Sequence, residues 1–402
     1  MNILFLTLND FKDLEDRSIY TDLLNEFLAA GHSLTIVSPR ERKYGERTRL
    51  IESERCRIAK VRIGNIQKTN TIERGLSTLF LEYQVARFFR KSLAGERYDL
   101  VLYSTPPITF TRIVWRVKRD GGAVSYLMLK DIFPQNAVDL DLLREGGWLH
   151  RYFRRKEKRL YAVSDHIGCM SEANVRYLLE HEPWIPPGAV EVCPNGLRPR
   201  PAARVDRAAV RARFGVPADR SAFICGGNFG KPQGIPFIIE ALRNNQAKPD
   251  RHFILCGSGT EWARLARAVG SFEGRNITMI PGLPKAEFDD LVSACDVGLV
   301  FLDHRFMIPN FPSRMLTYME NGIPVLAATD PHTDLGEAIL SGRFGWWCES
   351  ADPAAFTVLV DEICRDPVAV PELGANARRF FEDHYTARLS YRTIMRHFDE
   401  RG

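Results

Sequence analysis

Short apolar runs alternate with longer amphipathic segments along the first half of this chain. The runs read "NILFLTL", "SLTIVSP", "YDLVLYST" and "AVSYLML", and the segments between them predict helices over 19–30 and 76–93. Runs that are apolar on both faces are typical of parallel strands covered by helices on each side. The pattern therefore predicts an open α/β domain, with one hairpin-like region around "CRIAKVRIG".

The same alternation restarts after "EVCPNG". Five further apolar runs end at "VLAAT", and they predict helices between them over 235–244, 260–269, 285–294 and 314–320. We therefore predict two Rossmann-like α/β domains with open parallel sheets, 1–194 and 195–380, and a C-terminal helix within 381–402 that packs back towards the first domain. Because ligands of such sheets bind at the carboxyl ends of the strands, we expect the site in a cleft between the domains.

The composition is that of a globular protein. Of its 402 residues 45% are hydrophobic and 26% are charged, and no apolar run is long enough for a membrane span. The start, "MNILFLTLND", is read as a first strand rather than a signal peptide, and the eight scattered cysteines favour a reducing cytoplasm. Residues 1–195 contain 30 Lys and Arg against 25 Asp and Glu, so the net charge of +5 lies in the first half. This surplus is too small for a nucleic-acid-binding protein, but it suits a surface that faces phosphates or anionic lipid.

The segment "IPNFPSRMLTYMENGIPVLAATD" predicts a rigid loop, a short helix and a buried strand. Ser313 is expected to cap the helix and Gly322 to end it. The first backbone N–H groups of such a helix have no partners within the helix, and its dipole favours negative charge there. The sequence therefore predicts an anion-binding site at the start of this helix.

Glycine-rich turns follow three of the predicted strands in the second half. "CGGNFGKPQGI" surrounds Lys231 and Gln233 with glycines, and "CGSGTEW" and "PGLP" follow the next two strands. Glycine lets the backbone approach a ligand, and a lysine adds charge for an anion. The alternative is an ordinary tight turn. Trp262 stands where the third glycine of a dinucleotide-binding fingerprint belongs, which disfavours a nicotinamide-dependent dehydrogenase.

Taken in order, these motifs resemble those of a known enzyme family. "GGNFGKPQG", "LCGSGTEW", "PGLPKAEFDDLVSACDVGLVFL" and "PSRMLTYMENGIPVLA" resemble the donor domain of family 4 retaining glycosyltransferases, which have the GT-B fold. "KDIFPQNAVDL", "GCMSEANVRYL" and "VCPNGL" are similar to the N-terminal elements of that family, most of all to bacterial enzymes that build capsule and O-antigen polysaccharides.

The resemblance implies a reaction and its partners. The first domain is expected to bind an acceptor, a glycan or an undecaprenyl-linked glycan, and the second a nucleotide-diphosphate sugar. Transfer is expected with retention and without a metal or other cofactor, in the cytoplasm at the inner face of the membrane.

The resemblance also assigns residues to the donor. At the phosphates and the sugar we expect Gly227, Asn228, Lys231, Gln233, Gly234, Asn310, Phe311, Ser313 and Arg314. At the nucleoside we expect Gly257, Gly259, Glu261, Gly282, Leu283 and Thr317. For Arg314 the alternative is a solvated arginine at a helix start.

The chain departs from the family pattern at the donor. Many members carry two glutamates around this loop, and Pro309 and Thr317 occupy those positions here. Glu320, one helical turn after Thr317, is predicted to be exposed to solvent. Asn228 and Gln233 replace an arginine and a lysine that serve the phosphates in many members, and Lys231 is expected to compensate. These departures favour a variant donor site.

Three residues of the first half are candidates for catalysis: Lys130, Asp131 and Glu172. Lys130 and Asp131 end a predicted strand, and Asp131 is expected to accept the proton of the acceptor hydroxyl or to orient the transferred sugar. The alternatives are a helix cap or an ion pair for Asp131, and an ordinary capping pair for Ser171 and Glu172. The nine histidines form no metal-ligand motif, so no metal site is expected.

The stretch 148–163 predicts an amphipathic helix. Its apolar residues fall mostly on one side and its arginines and lysines on the other, which suits a helix lying on anionic lipid. The alternative is a helix packed on the core with a solvated basic face.

Two further functions remain open from the sequence. The missing glutamates suit a non-catalytic sugar-nucleotide-binding scaffold of polysaccharide assembly, and the fold also suits a nucleotide-sugar epimerase. Turnover of the donor, with and without an acceptor, distinguishes these from a transferase.

Overall fold

The computed structural model describes residues 1–65, 71–93, 95–201 and 205–399. Its internal contacts divide the chain into two units, Met1–Arg198 with Ala387–Gly402 (unit 1) and Pro199–Thr386 (unit 2). The first change of unit lies close to the predicted boundary at 194/195. The predicted boundary at 380/381 falls inside a helix of unit 2, Ala369–His384, and the chain returns to unit 1 after it.

Unit 1 contains an eight-stranded sheet in the order β3-β4-β2-β1-β5-β6-β7-β8. Its strands are β1 (Asn2–Leu6), β2 (Ser33–Glu41), β3 (Arg49–Glu52), β4 (Cys56–Ile63), β5 (Leu100–Ser104), β6 (Val124–Leu129), β7 (His166–Cys169) and β8 (Val190–Val192). All pairs are parallel except β3 with β4, which form an antiparallel hairpin where the hairpin-like region was predicted, so the sheet is mixed. The physical reason is that residues 53–55 alone join β3 to β4, which is too short for a parallel crossover.

Unit 2 contains a six-stranded parallel sheet in the order β11-β10-β9-β12-β13-β14. Its strands are β9 (Ser221–Asn228), β10 (Arg251–Ser258), β11 (Ile277–Pro281), β12 (Val297–Phe301), β13 (Val325–Thr329) and β14 (Gly345–Glu349). The chain runs outwards from β9 to β11 and then crosses to the other side of β9. The strand order therefore reverses between β9 and β12, the point at which open α/β sheets bind ligands.

Helices connect these strands in both units. They are α1 (Ile19–Ala29), α2 (Thr71–Ser92), α3 (Thr111–Gly121), α4 (Gln135–Asp139), α5 (Trp148–Val163), α6 (Glu172–His181), α7 (Arg207–Arg213), α8 (Ile235–Asn245), α9 (Trp262–Gly270), α10 (Lys285–Ser293), α11 (Arg314–Glu320), α12 (Leu335–Ser341), α13 (Pro353–Arg365), α14 (Ala369–His384) and α15 (Ala387–Asp399). In the part of the chain that the structure describes, none of them has the length and apolar character needed to cross a membrane.

The last helix, α15, completes the core of unit 1. Ile394 is fully buried among residues of β1, β2 and α1, and the ring of Tyr391 packs edge-on against Phe27 with centroids 4.9 Å apart. The backbone N–H of Ala387 donates to Leu197 at 3.0 Å, which ties the start of α15 to the end of the first segment.

The core of unit 2 places helices on both faces of its sheet. Apolar residues of α8, α9 and α13 cover one face, which includes Val297 and Leu299 of β12. Gly298 lies between these two and faces the other way, where Tyr318 of α11 covers it. The first turn of α11 is thereby held at the end of the sheet beside β9 and β12.

Candidate functional site

The carboxyl ends of β9 and β12 separate, and α11 closes over the gap. The two strands pair only at Phe223 with Val297 and Ile224 with Gly298, among the residues described. The Tyr318 hydroxyl accepts a hydrogen bond from the backbone N–H of Gly226 at 3.0 Å. A Cβ at Gly298 would lie 2.3 Å from the Tyr318 ring, so this glycine is needed for packing rather than for a ligand.

Arg314 reaches into this gap from the first turn of α11. Its Nη2 donates to the backbone oxygen of Asn228 at 3.2 Å, and its Nη1 lies 3.6 Å from Sγ of Cys225. Gly227 is exposed and has a φ of +108°, and it lies beside the same guanidinium. The structure thus brings three predicted phosphate residues, Gly227, Asn228 and Arg314, to the point where the strand order reverses. We call them the Arg314 cluster.

Gln233 joins this cluster by supporting the glycine loop. Its Oε1 accepts from the backbone N–H of Gly230 at 2.9 Å and from Nδ2 of Asn228 at 3.4 Å. The side chain that takes the place of a family lysine therefore holds the loop in shape.

The start of α11 differs from the prediction. Ser313 occupies the capping position, but it has helical dihedral angles and its side chain makes no capping hydrogen bond. The helix has only seven residues, so its dipole is short. At the start of α11 the positive charge therefore comes from the Arg314 side chain rather than from the helix dipole. Gly322 ends the helix at φ +68°, as predicted.

The neighbouring predicted residues are held by other parts of unit 2. The backbone oxygen of Asn310 accepts from Thr333 Oγ1 at 2.6 Å, and Phe311 packs on Tyr385 with ring centroids 5.6 Å apart. The carbonyl of Thr317 accepts from Nδ2 of Asn321 at 2.8 Å, within α11.

The prediction that Glu320 is solvated is wrong. Glu320 is 4% exposed, and its Oε1 accepts from the backbone N–H of Arg200 at 3.0 Å. The sequence could not show this, because Arg200 is far away along the chain.

Three other predicted donor residues, Lys231, Gly234 and Glu261, line a cavity of about 590 Å³, which we call the side cavity. Asp303, Arg305 and Ser350 also line it, and the sequence did not identify them. The members of the Arg314 cluster are not among its lining residues in the described chain. The backbone N–H of Asp303 donates to Pro232 at 2.9 Å, so the loops after β9 and β12 are bonded together beside this cavity.

The glycines predicted at the nucleoside have different environments. A Cβ at Gly257 would lie 1.9 Å from the backbone oxygen of Gly227, and one at Gly259 would lie 2.2 Å from that of Phe229. Gly282 and Leu283 follow β11; Gly282 is exposed, with open space where a Cβ would be. Gly257 and Gly259 therefore serve close packing of the strand ends, whereas Gly282 has no such role.

We expect Gly257→Ala to lower the free energy of unfolding by about 1–3 kcal/mol or more, because backbone atoms must move apart. Gly282→Ala is the matched control and is expected to leave stability unchanged. Thermal and urea unfolding of both variants measure this, and equal stability of the two would contradict the packing role of Gly257.

In unit 1, Lys130 and Asp131 directly follow β6 and are held by the end of β5. The Thr105 hydroxyl oxygen accepts from the backbone N–H of Lys130 at 3.0 Å and of Asp131 at 3.1 Å. Nδ2 of Asn136 donates to both carboxylate oxygens of Asp131, at 2.8 and 2.7 Å. Oδ1 of Asn136 is buried without a hydrogen-bond partner in the described part of the chain. Sequence reasoning missed Thr105 and Asn136, which are not charged.

Burial shifts the pKa values of this pair in opposite directions. It raises the pKa of Asp131 to about 6, although hydrogen bonds from Asn136 and the Ile132 backbone favour the carboxylate. It lowers the pKa of Lys130 to about 8. Two groups with opposed shifts at a strand end are typical of functional sites.

Glu172, the third catalytic candidate, is exposed at the first position of α6. Ser171 precedes it in the capping position, but its hydroxyl donates to Oδ1 of Asn174 at 3.2 Å rather than accepting from the helix backbone. No hydrogen bond or ion pair joins Glu172 to Lys130 or Asp131 among the described residues. Within those residues, no group of three or more histidine, cysteine or acidic side chains comes together as a metal site.

The predicted amphipathic helix, α5, packs its apolar side inward and exposes its basic side, which is the stated alternative to a helix lying on lipid. Its buried side carries Leu160 and Tyr161, and Arg154 is paired with Glu157 and Glu182. The exposed stripe is formed by Trp148, which is 73% exposed, and the exposed arginines 151, 155 and 159. These four positions lie on one side of the helix because they are spaced by three or four residues.

Comparisons with known proteins match both halves of the chain. The family model for glycosyl transferases group 1 matches residues 206–380, and that for the glycosyl transferase 4-like domain matches residues 19–196. The probable glycosyltransferase WbjE of Pseudomonas aeruginosa is 24% identical over 332 residues, which are 80% of this chain and 79% of that protein.

Two solved structures share the overall fold. Anabaena HepE in complex with UDP-glucose has a TM-score of 0.68 at 14% identity, with both chains covered completely. WaaG, a glycosyltransferase involved in lipopolysaccharide biosynthesis, has a TM-score of 0.63 at 13% identity, with 98% of each chain covered. These likenesses confirm the two-domain fold predicted from the sequence.

Proposed function

Since this chain belongs to the glycosyltransferases that combine a 4-like domain with a group 1 domain, we propose that it transfers a sugar from a nucleotide-diphosphate sugar to a hydroxyl of a glycan in bacterial surface-polysaccharide synthesis. The fold is GT-B. The observation that carries the proposal is the Arg314 guanidinium, which lies beside an exposed glycine turn where the strand order of unit 2 reverses. Guanidinium groups bind phosphate oxygens through charge-assisted hydrogen bonds.

In this proposal unit 2 binds the donor and the Lys130–Asp131 pair of unit 1 serves the acceptor hydroxyl. Binding of UDP-glucose by HepE and the role of WaaG in lipopolysaccharide biosynthesis support a nucleotide-sugar donor and a surface-polysaccharide acceptor. A lipid-linked acceptor and reaction at the inner face of the membrane complete the proposal.

We propose retention at the anomeric carbon, without a metal and without a covalent enzyme intermediate. Arg314 and the backbone N–H groups at the start of α11 would stabilise the departing diphosphate as its charge grows, and a phosphate oxygen would take the acceptor proton. Asp131 would then orient the acceptor rather than attack the sugar.

The test incubates the purified chain with a panel of nucleotide sugars and a lipid-linked glycan acceptor in the presence of EDTA. NMR of the anomeric signal should show a product with the configuration of the donor. An inverted linkage, or activity that disappears with EDTA, would contradict the mechanism.

Pro309 and Thr317, at the positions of the two family glutamates, favour a second candidate, a non-catalytic sugar-nucleotide-binding scaffold. Donor binding without turnover on any acceptor would support the scaffold. Conversion of the donor with no acceptor present would instead indicate an epimerase.

Peripheral association with the membrane through α5 is a further expected outcome. The Trp148 stripe combines an exposed aromatic ring with three arginines, and basic residues near an anionic surface contribute about 1 kcal/mol each. The triple variant Arg151→Ala, Arg155→Ala, Arg159→Ala should float poorly with liposomes that contain anionic lipid. The control removes Arg267 and Arg275, two exposed arginines of unit 2. Equal flotation of the native chain, the triple variant and the control would show that α5 does not contact the membrane.

A further inference from the structure

We propose that the side cavity of unit 2 is a saccharide-binding site distinct from the Arg314 cluster. It lies at the carboxyl ends of β9, β10, β12 and β14, and its volume of about 590 Å³ is in the range of small-molecule sites. Saccharide binding there goes beyond donor binding and transfer, and it is measurable without either.

A buried hydroxyl in the cavity wall lacks a partner. Ser350 is 1% exposed, and its Oγ has no hydrogen-bond partner in the described part of the chain. Its position is fixed, since its backbone N–H donates to Thr329 at 2.8 Å. Because buried polar groups are normally paired, an unpaired hydroxyl in a cavity wall points to a ligand that supplies the missing hydrogen bond.

The charges of the lining are balanced, which disfavours a phosphate ligand. Nε and Nη2 of Arg305 donate to the two carboxylate oxygens of Asp303, at 2.8 and 2.9 Å, and Arg264 lies 3.3 Å from Glu261. Lys231 adds one positive charge and Glu240 one negative charge. Three of the lining residues are positive and three are negative, so the wall presents donors and acceptors together, which suits a neutral ligand rich in hydroxyl groups.

The remaining lining is apolar. Pro236, Phe237, Ala351 and Pro353 contribute ring and aliphatic surface beside the charged groups. A pyranose ring has hydroxyl groups at its edge and C–H groups on its faces, so it can use both parts of this lining. A segment of a glycan chain is therefore the class of ligand that fits.

The experiment is saturation-transfer NMR on the full chain with maltose, cellobiose, lactose and chitobiose as probes at millimolar concentration. At least one disaccharide should give a signal, and Ser350→Ala should weaken its binding by about tenfold. The melting temperature of this variant should not fall, since the hydroxyl it removes has no partner. Ser341→Ala is the matched control: this serine is exposed, bonds within α12 and does not line the cavity. Glu240→Gln, which removes a lining charge, is the second variant and should also weaken binding.

UDP distinguishes this site from the donor site. Saturating UDP should leave the saccharide signal in place, and Ser350→Ala should leave UDP affinity unchanged. The proposal is overturned if no probe binds, if both variants bind the probe as the native chain does, or if UDP abolishes the saccharide signal. The last result would assign the side cavity to the donor.

Discussion

Replacing Asp131 with asparagine is expected to slow sugar transfer by up to about 10²-fold, the loss typical of a misplaced reacting group, while leaving affinity for the donor nearly unchanged. The substitution keeps the size of the side chain but removes the charge that Asn136 holds in place. Donor affinity is expected to persist because the Arg314 cluster, which binds the donor in this proposal, belongs to unit 2, whereas Asp131 belongs to unit 1. Rates at saturating donor and titration with the nucleoside diphosphate measure the two effects separately.

Asp120→Asn is the charge-matched control for this variant. Asp120 pairs with Arg116 and Arg119 on the surface of α3, so its removal should change the rate little. An Asp131→Asn enzyme as fast as the control would place the acceptor chemistry elsewhere.

The pH dependence of transfer follows from the side chains of Asp131 and Lys130. We propose that the active form has Asp131 ionised and Lys130 protonated; their pKa values are shifted to about 6 and about 8. We expect kcat/KM to pass through a maximum between these values, and Asp131→Asn to lose the fall on the acid side.

The free energy of unfolding should also depend on the protonation state of Asp131. Its folded pKa lies above the usual carboxyl value of 3.8, so between these values the folded chain holds more protons than the unfolded chain. Stability contributed by this group therefore falls as pH rises towards 6 and stays low above it. The melting temperature of Asp131→Asn, taken relative to that of the native chain, should be higher at pH 7.5 than at pH 5. A constant difference would contradict the raised pKa.

Arg314→Ala is expected to weaken binding of the nucleoside diphosphate by about 10- to 150-fold. This corresponds to about 1.5–3 kcal/mol for a hydrogen bond with a charged partner. The loss should be large because the guanidinium is already held against Asn228 and Cys225, so little side-chain freedom is lost on binding. Calorimetric titration with UDP and GDP measures it.

Two variants sharpen this result. Arg267→Ala removes an exposed arginine of α9 and should leave affinity unchanged. Lys231→Ala should weaken binding less than Arg314→Ala, because Lys231 lines the side cavity. A larger loss with Lys231→Ala would move the diphosphate from the Arg314 cluster to that cavity.

The sequence by itself determined the elements and the class of fold. Apolar runs and their spacing predicted five of the six strands of the unit 2 sheet, all but β14, and Gly322 marked the end of α11. Periodicity and turn geometry could show this because they are local properties of the chain. The order of the glycine turns and the helix after them resembled one family, and the two family models match these parts of the chain.

Only the tertiary structure decided which side chains meet. Arg314 contacts the end of β9, and Glu320 accepts from Arg200; neither pairing is visible in the local sequence. Asn136 of α4 is recognised as the partner of Asp131 only in the folded chain, where its side-chain amide donates to the carboxylate that follows β6. Gly257 proved to be a packing residue, although its pattern is the same as that of a ligand-binding glycine. The physical reason is that hydrogen bonds, burial and the resulting pKa shifts depend on distances between segments that the sheet order brings together.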